Sequence, residues 1–78
     1  MVKYIQFSVP REICNQTDLL LMDMAQSYWW IAQNDSRTEK FGAYMSAERV
    51  NRFFKTLYGL LFTRNIDGII AIDEVVHR

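Results

Sequence analysis

An alternation of apolar and polar positions, which is regular from Ile5 to Val9, predicts a β-strand over residues 2–9. Ile5, Phe7 and Val9 share one face of this strand, and we expect that face to meet the hydrophobic core. The other face carries Tyr4 among more polar neighbours. It is therefore expected to stay in contact with water.

A helical repeat follows, and it predicts a helix from Asn15 or Thr17 to about Asn34. The side chain of either starting residue can accept hydrogen bonds from the unpaired N–H groups of the first turn. Apolar residues three and four positions apart form one broad stripe along this helix: Leu20, Leu21, Met24, Ala25, Tyr28, Ile31 and Ala32. This stripe is expected to pack against the sheet.

The tryptophan at position 30 falls outside that stripe. At about 100° per residue, Trp30 projects from the polar side of the predicted helix, beside Leu19, Asp23 and Gln26. Tryptophan is enriched among the residues that dominate the energy of protein interfaces. We therefore predict that these four residues form a protein-binding surface. The alternative is that the polar segment 34–40 or the end of the chain folds over the indole.

The second half of the chain predicts a short strand at residues 41–45 and a second helix capped by Ser46. The apolar positions of this helix fall on one side: Val50, Phe53, Phe54, Leu57 and Leu61. Gly59 is unfavourable inside a helix, so residues 60–64 are compatible with either helix or strand. Continuation of the helix to Thr63 is favoured, because the apolar phase persists beyond the glycine.

Residues 65–68 indicate a turn, and residues 69–76 a final strand whose first half is apolar on both faces. The element order predicts a single α+β domain, 1–78, built as a two-layer sandwich with two helices on one face of a two- or three-stranded sheet. The uncovered sheet face would expose Val2, Tyr4 and one side of the final strand. Because that is more apolar surface than a small monomer usually exposes, we expect a protein partner or a second copy of the chain to cover it. Tyr4 is therefore a further predicted protein-binding residue.

The charge balance limits the classes of partner. Nine basic side chains match nine acidic ones, which argues against a general nucleic-acid binder. One basic cluster, Arg49, Arg52 and Lys55, lies on the outer side of the second predicted helix. The alternative function is therefore a nucleic-acid-associated regulator that uses this cluster, with homodimer formation as a further expectation.

The residues that carry catalysis are scarce. His77 is the sole histidine and stands next to the end of the sequence, where its geometry would not be held. Cys14 precedes the first predicted helix, a position that can depress the pKa of a thiol, but no base accompanies it. The cysteine, histidine and acidic residues lack metal-site spacing, and the glycines are isolated. We expect no catalytic, metal-binding or cofactor-binding residues, and no enzymatic activity.

The remaining features favour a cytoplasmic binding protein. The N-terminal residues turn polar too early for a signal peptide, and no apolar run reaches the about 20 residues needed to span a membrane. Surplus apolar surface and an aromatic anchor favour a non-enzymatic inhibitor or regulator that occupies a surface of a larger protein complex. Small proteins of this kind are common among phage- and plasmid-encoded inhibitors of host defence or transcription machinery, which makes such an origin our expectation.

Overall fold

The computed structural model describes residues 1–77, with side chains as far as Asp73. The expected exposure of the His77 side chain therefore lies outside the described residues. The strands are β1 (Val2–Pro10), β2 (Ser27–Ile31), β3 (Thr38–Ser46) and β4 (Ala71–His77). The helices are α1 (Cys14–Met24), which follows a 3₁₀ turn at Arg11–Ile13, and α2 (Ala47–Thr63).

The four strands form one antiparallel sheet in the order β2-β3-β1-β4, and both helices pack on the same side of it. The predicted two-layer α+β sandwich is confirmed. Its sheet has four strands rather than two or three, because β2 was not expected. The β-α-β-β-α-β order with this strand arrangement is the split β-α-β topology of ferredoxin-like folds. It makes β1 and β3 the central strands and leaves β2 and β4 at the edges.

The core lies between the sheet and the two helices. Ile5, Phe7 and Val9 are fully buried, as the alternation in β1 predicted. The register with β3 places Phe41 and Ala43 beside them on the same face, and both are also fully buried. All five apolar residues predicted for the inner side of the second helix are buried as well.

The first helix is much shorter than predicted. It ends at Met24, and the Ala25 backbone is extended, although the Ala25 N–H still donates to the Leu21 carbonyl oxygen at 2.8 Å. Residues 27–31 then form β2, so the helical phase assigned to Trp30 is wrong. This segment is rich in aromatic residues, which favour a pleated, half-buried surface and override the helical spacing.

Side-chain hydrogen bonds join α1 to β2 and to α2. The Tyr28 hydroxyl donates to an Asp18 carboxylate oxygen at 2.9 Å, and this bond is the main cause of a raised Tyr28 pKa. The Arg49 guanidinium donates to the Met24 carbonyl oxygen at 3.1 Å. That carbonyl stands at the C-terminus of α1, where a cation is favourable. The end of α1 is therefore held by a side chain of α2.

Helix α2 continues to Thr63, as favoured from its apolar phase. Asn65 adopts a left-handed conformation with φ 55°, and its N–H donates to the Phe62 carbonyl oxygen at 3.2 Å. The Ile66 N–H donates to the Leu61 carbonyl oxygen at 2.9 Å. These two bonds form a Schellman motif, which satisfies the last carbonyl groups and ends the helix.

The final strand begins later than predicted. Ile69 is 76% exposed and precedes β4, so the apolar run is not covered on both sides. Ile70 turns inward and is buried. The pairing of β4 with β1 shifts register between Gln6 and Phe7, which leaves Asp73 as an extra residue in the edge strand.

Candidate functional site: the open face of the sheet

One face of the sheet is not covered by α1 or α2, and we call it the open face. Alternate residues of three strands meet there: Val2, Tyr4, Gln6 and Ser8 of β1, Lys40, Gly42, Tyr44 and Ser46 of β3, and Ser27, Trp29 and Ile31 of β2. Every member except the glycine is at least partly exposed. The uncovered surface expected around Val2 and Tyr4 is therefore present, and it extends across β3 to β2.

Three aromatic side chains cluster on this face, and we call them the aromatic trio: Tyr4, Trp29 and Tyr44. The rings of Tyr4 and Trp29 are nearly parallel, with centroids 5.8 Å apart and an interplanar angle of 14°. Tyr44 contacts both rings, at 5.2 Å from Tyr4 and 5.7 Å from Trp29. Tyr4 and Tyr44 are also direct cross-strand partners. The trio thus joins both central strands to the edge strand β2.

A glycine makes room for the Trp29 indole. A Cβ atom at Gly42 would lie 2.7 Å from both Cε2 and Nε1 of Trp29. The indole therefore lies against the backbone at Gly42, which is the cross-strand partner of Trp29. Gly42 is buried while Trp29 remains 38% exposed. The aromatic ring covers the bare backbone of the strand and keeps part of its own surface exposed.

The charges that the described side chains bring to the open face are paired. Lys40 carries the positive charge among the described side chains of this face, and its Nζ lies 2.8 Å from Oδ2 of Asp73. This ion pair joins β3 to β4 across β1. Polar, uncharged residues such as Gln6 and Ser8 occupy much of the remaining surface around the trio. An aromatic centre with a polar rim resembles the composition of protein interfaces.

The residues predicted to bind protein together lie on separate surfaces. Trp30 lies on the helix-facing side of β2, where its ring contacts Phe41 at 6.0 Å. It is 64% exposed, so segment 34–40 does not cover it. Leu19 and Asp23 line a shallow groove between the two helices. Gln26 lies in the connection that follows α1, and its N–H bonds to β3.

Tyr4, which the sequence predicts on the uncovered face of the sheet, does lie on the open face. Trp29 and Tyr44, its contacts there, were not among the predicted binding residues. The sequence predicts a helix at Trp29 rather than a strand, and it predicts Tyr44 in a short strand whose neighbours in the sheet it does not specify. An alternating interpretation of residues 27–31 would have put Trp29 and Ile31 on one face and Tyr28 and Trp30 on the other.

The basic cluster lies on the opposite side of the molecule. Arg52 and Lys55 are exposed on the outer side of α2, as the amphipathic pattern predicted. Arg49 is also exposed, but its guanidinium is hydrogen-bonded to the end of α1. The layer of helices and the sheet therefore separate these cations from the aromatic trio.

The environment of Cys14 does not favour a reactive thiol. Burial is the main cause of a raised Cys14 pKa, and the Glu39 carboxylate raises this pKa further. A hydrogen bond from the Trp30 indole acts in the opposite direction. The depressed pKa that a helix N-terminus can produce is therefore not found at this position.

At pH 8, Cys14 of the folded protein is expected to react with a thiol-specific disulfide reagent more slowly than Cys14 of the urea-unfolded chain, because a raised pKa leaves less thiolate. Glu39→Gln should increase the rate, since it removes a negative charge that opposes ionisation. Glu12→Gln is the matched control and should leave the rate unchanged. A native thiol that reacts as fast as the urea-unfolded chain would contradict this interpretation.

We also searched the described residues for a metal site and for a membrane-spanning helix. No three His, Cys, Asp or Glu side chains in this part of the chain come together to hold a metal ion. None of the described helices combines the length and hydropathy needed to cross a membrane. The chain matches no protein-family profile and no curated protein sequence.

Proposed function

We propose that this is a non-enzymatic protein-binding protein whose working surface is the open face, centred on the aromatic trio. It acts as an inhibitor or regulator by occupying a surface of a larger protein partner. The observation that carries the proposal is the packing of Tyr4, Trp29 and Tyr44 into one cluster that remains partly exposed.

The geometry of the trio suits recognition of another protein. Its rings contact one another within 6 Å, so the side chains are already ordered before a partner arrives. Ordered aromatic side chains lose little conformational entropy on binding, and this increases the net affinity that they can contribute. The trio also lies on paired strands rather than loops, which fixes its shape.

The distribution of charge supports a protein partner over a nucleic acid. Single-strand binders combine stacking aromatic residues with cations that follow the phosphate backbone in the same groove. Here Lys40 is paired with Asp73, and Arg52 and Lys55 lie behind the sheet on α2. A single-stranded nucleic acid bound across the trio would therefore meet little positive charge among the described side chains.

The test compares two double variants. Tyr4→Thr with Tyr44→Thr removes two rings of the trio but keeps β-branched residues suited to a strand. Tyr58→Ala with Phe62→Ala removes two exposed aromatic residues from α2, on the other side of the molecule, with a residue suited to a helix. Partners retained by the immobilised parent protein are identified and purified, and their affinities are measured by titration calorimetry.

The trio variant is expected to weaken binding at least about 30-fold, the effect of losing about 2 kcal/mol of interface energy. The α2 variant should bind as the parent does. Equal affinity of the trio variant, with its circular dichroism unchanged, would overturn the proposal. Salt-sensitive binding of a labelled oligouridylate by the parent at physiological salt would favour the nucleic-acid alternative instead.

A further inference from the structure

The two edges of the sheet differ in how they are protected against pairing. Edge strands expose unpaired backbone groups, and charged residues or bulges usually prevent them from joining another strand. In β4 the extra residue Asp73 interrupts the register with β1 and adds a negative charge. The edge formed by β4 therefore carries two of the usual protective features.

The edge formed by β2 carries neither feature. Its five residues pair with β3 in unbroken register, from Ser27 opposite Tyr44 to Ile31 opposite Lys40. No charged residue or proline occurs in segment 24–34, the longest uncharged run of the sequence. Among the described residues, the backbone hydrogen bonds made outside helices and strand pairs do not involve β2. Its outer edge is therefore an uncharged strand in regular register, which is suited to pairing with another strand.

We propose that β2 pairs antiparallel with β2 of a second copy of this chain, which joins two sheets into one of eight strands. A two-fold axis at Trp29 brings each Trp29 opposite its copy. The same register places Tyr28 opposite Trp30 and Ser27 opposite Ile31. Cross-strand aromatic pairs stabilise sheets, and no charge on β2 opposes the pairing of two identical strands.

The exposure of the two tryptophans supports pairing with a second copy of the chain. Trp30 is 64% exposed and Trp29 38%, and they lie on opposite faces of β2. Self-pairing would bury indole surface on both faces of the seam at once. The two-fold axis runs perpendicular to the sheet, so the two open faces lie on the same side and the two aromatic trios adjoin. This dimer goes beyond the proposed function and does not require its partner.

From the sequence, a second copy of the chain is expected to cover the sheet face formed by residues 2–9 and the final strand, or to pair with an edge of one of these strands. The structure places β1 in the centre of the sheet, so that strand has no free edge. Strand β4 retains an edge, but its acidic extra residue disfavours pairing. We therefore assign the dimer contact to the edge of β2.

The first experiment is sedimentation equilibrium of the parent over a range of concentrations. A species of about 19 kDa, twice the 9.3 kDa of one chain, is expected. Trp30→Lys places a charge on the edge strand and should raise the dimer dissociation constant at least about tenfold. Phe62→Lys, at an 89% exposed position on α2, is the matched control and should leave this constant unchanged.

A second experiment tests the register and does not require loss of a tryptophan. In a Cys14→Ser background, Ser27→Cys with Ile31→Cys puts facing thiols across the seam, where paired Cα atoms lie about 4.5–5.5 Å apart. Mild oxidation should convert this variant to a covalent dimer. Either cysteine alone should not crosslink, because residue 27 lies about 14 Å from its own copy in this register.

A parent that stays at 9.3 kDa up to high micromolar concentration would overturn this dimer. So would a dimer that Trp30→Lys leaves intact while the protein remains folded. A covalent dimer that forms equally well from Ser27→Cys alone would contradict the register. None of these results decides whether the aromatic trio binds a partner, because that proposal is tested with the tyrosine variant of the trio and a different protein.

Discussion

Replacement of Phe7 by alanine is expected to lower the free energy of unfolding by about 3–5 kcal/mol. Phe7 is fully buried at the centre of β1. Its ring lies 5.8 Å from that of Phe41 and meets Phe53 and Phe54 edge-on at 5.3 and 5.4 Å. Because a chain of this size has a total stability of about 4–12 kcal/mol, the variant should lose much of it.

Phe62→Ala provides the matched comparison. It removes the same side chain from a position that is 89% exposed on α2, and its cost should stay within about 0.5 kcal/mol. Urea denaturation followed by circular dichroism measures both variants against the parent. Similar midpoints for the two variants would show that the packing around Phe7 does not hold the sheet to the helices.

Gly42→Ala is expected to destabilise the protein by about 1–3 kcal/mol, the usual range for forcing a methyl group into occupied space. The added Cβ would lie 2.7 Å from the Trp29 ring, well inside the about 3.5–4.0 Å of a favourable contact. The indole must therefore leave its position in the aromatic trio. In a Trp30→Phe background, Trp29 fluorescence should shift to longer wavelength as the ring becomes more exposed.

The same substitution at Gly59 should have the opposite sign. Gly59 lies inside α2, and nothing lies within 4 Å of the position of an added Cβ. Alanine there should stabilise the protein by about 0.5–1 kcal/mol through its greater helix propensity. Chemical denaturation of both variants measures the two changes in the free energy of unfolding. If Gly42→Ala stabilised the protein as Gly59→Ala does, the contact between Trp29 and the strand would be unimportant.

The dimer proposed at β2 and the binding site proposed at the open face share one residue, Trp29. In a dimer joined at β2, two aromatic trios form a continuous surface across the seam. A partner that contacts both trios would bind more tightly to the dimer than to the monomer, because the second contact becomes intramolecular. Trp30→Lys would then weaken partner binding indirectly, whereas the tyrosine substitutions in the trio act directly.

The local pattern of apolar residues was sufficient to predict β1 and α2, because each fits only one spacing, that of a strand or that of a helix. The alternation of Ile5, Phe7 and Val9 correctly identified the buried face of β1. The spacing of apolar residues in α2 correctly identified its inner side and its continuation past Gly59. In both cases one face is buried against the core and the other meets water, so burial imposes one unambiguous period on the sequence.

Residues 27–31 show why β2 could not be predicted from the sequence pattern. Tyr28, Ile31 and Ala32 continue the helical spacing of α1, whereas Tyr28 with Trp30 and Trp29 with Ile31 also alternate as in a strand. Both patterns fit because a large aromatic residue can be placed on either kind of element. The interaction that distinguishes them is pairing with β3, whose partner residues lie 9 to 17 positions further along the chain, and local spacing does not report it.

The sequence by itself determined the α+β class, the buried face of β1, the inner side of α2 and the presence of apolar surface beyond the needs of one core. The tertiary structure alone decided the number of strands and their order, and with them the members of the aromatic trio. Tyr4, Trp29 and Tyr44 lie far apart in the chain and meet only when β3 pairs with both β1 and β2. Strand pairing depends on backbone hydrogen bonds and cross-strand contacts between distant segments, so the proposed binding surface cannot be identified from any local stretch of sequence.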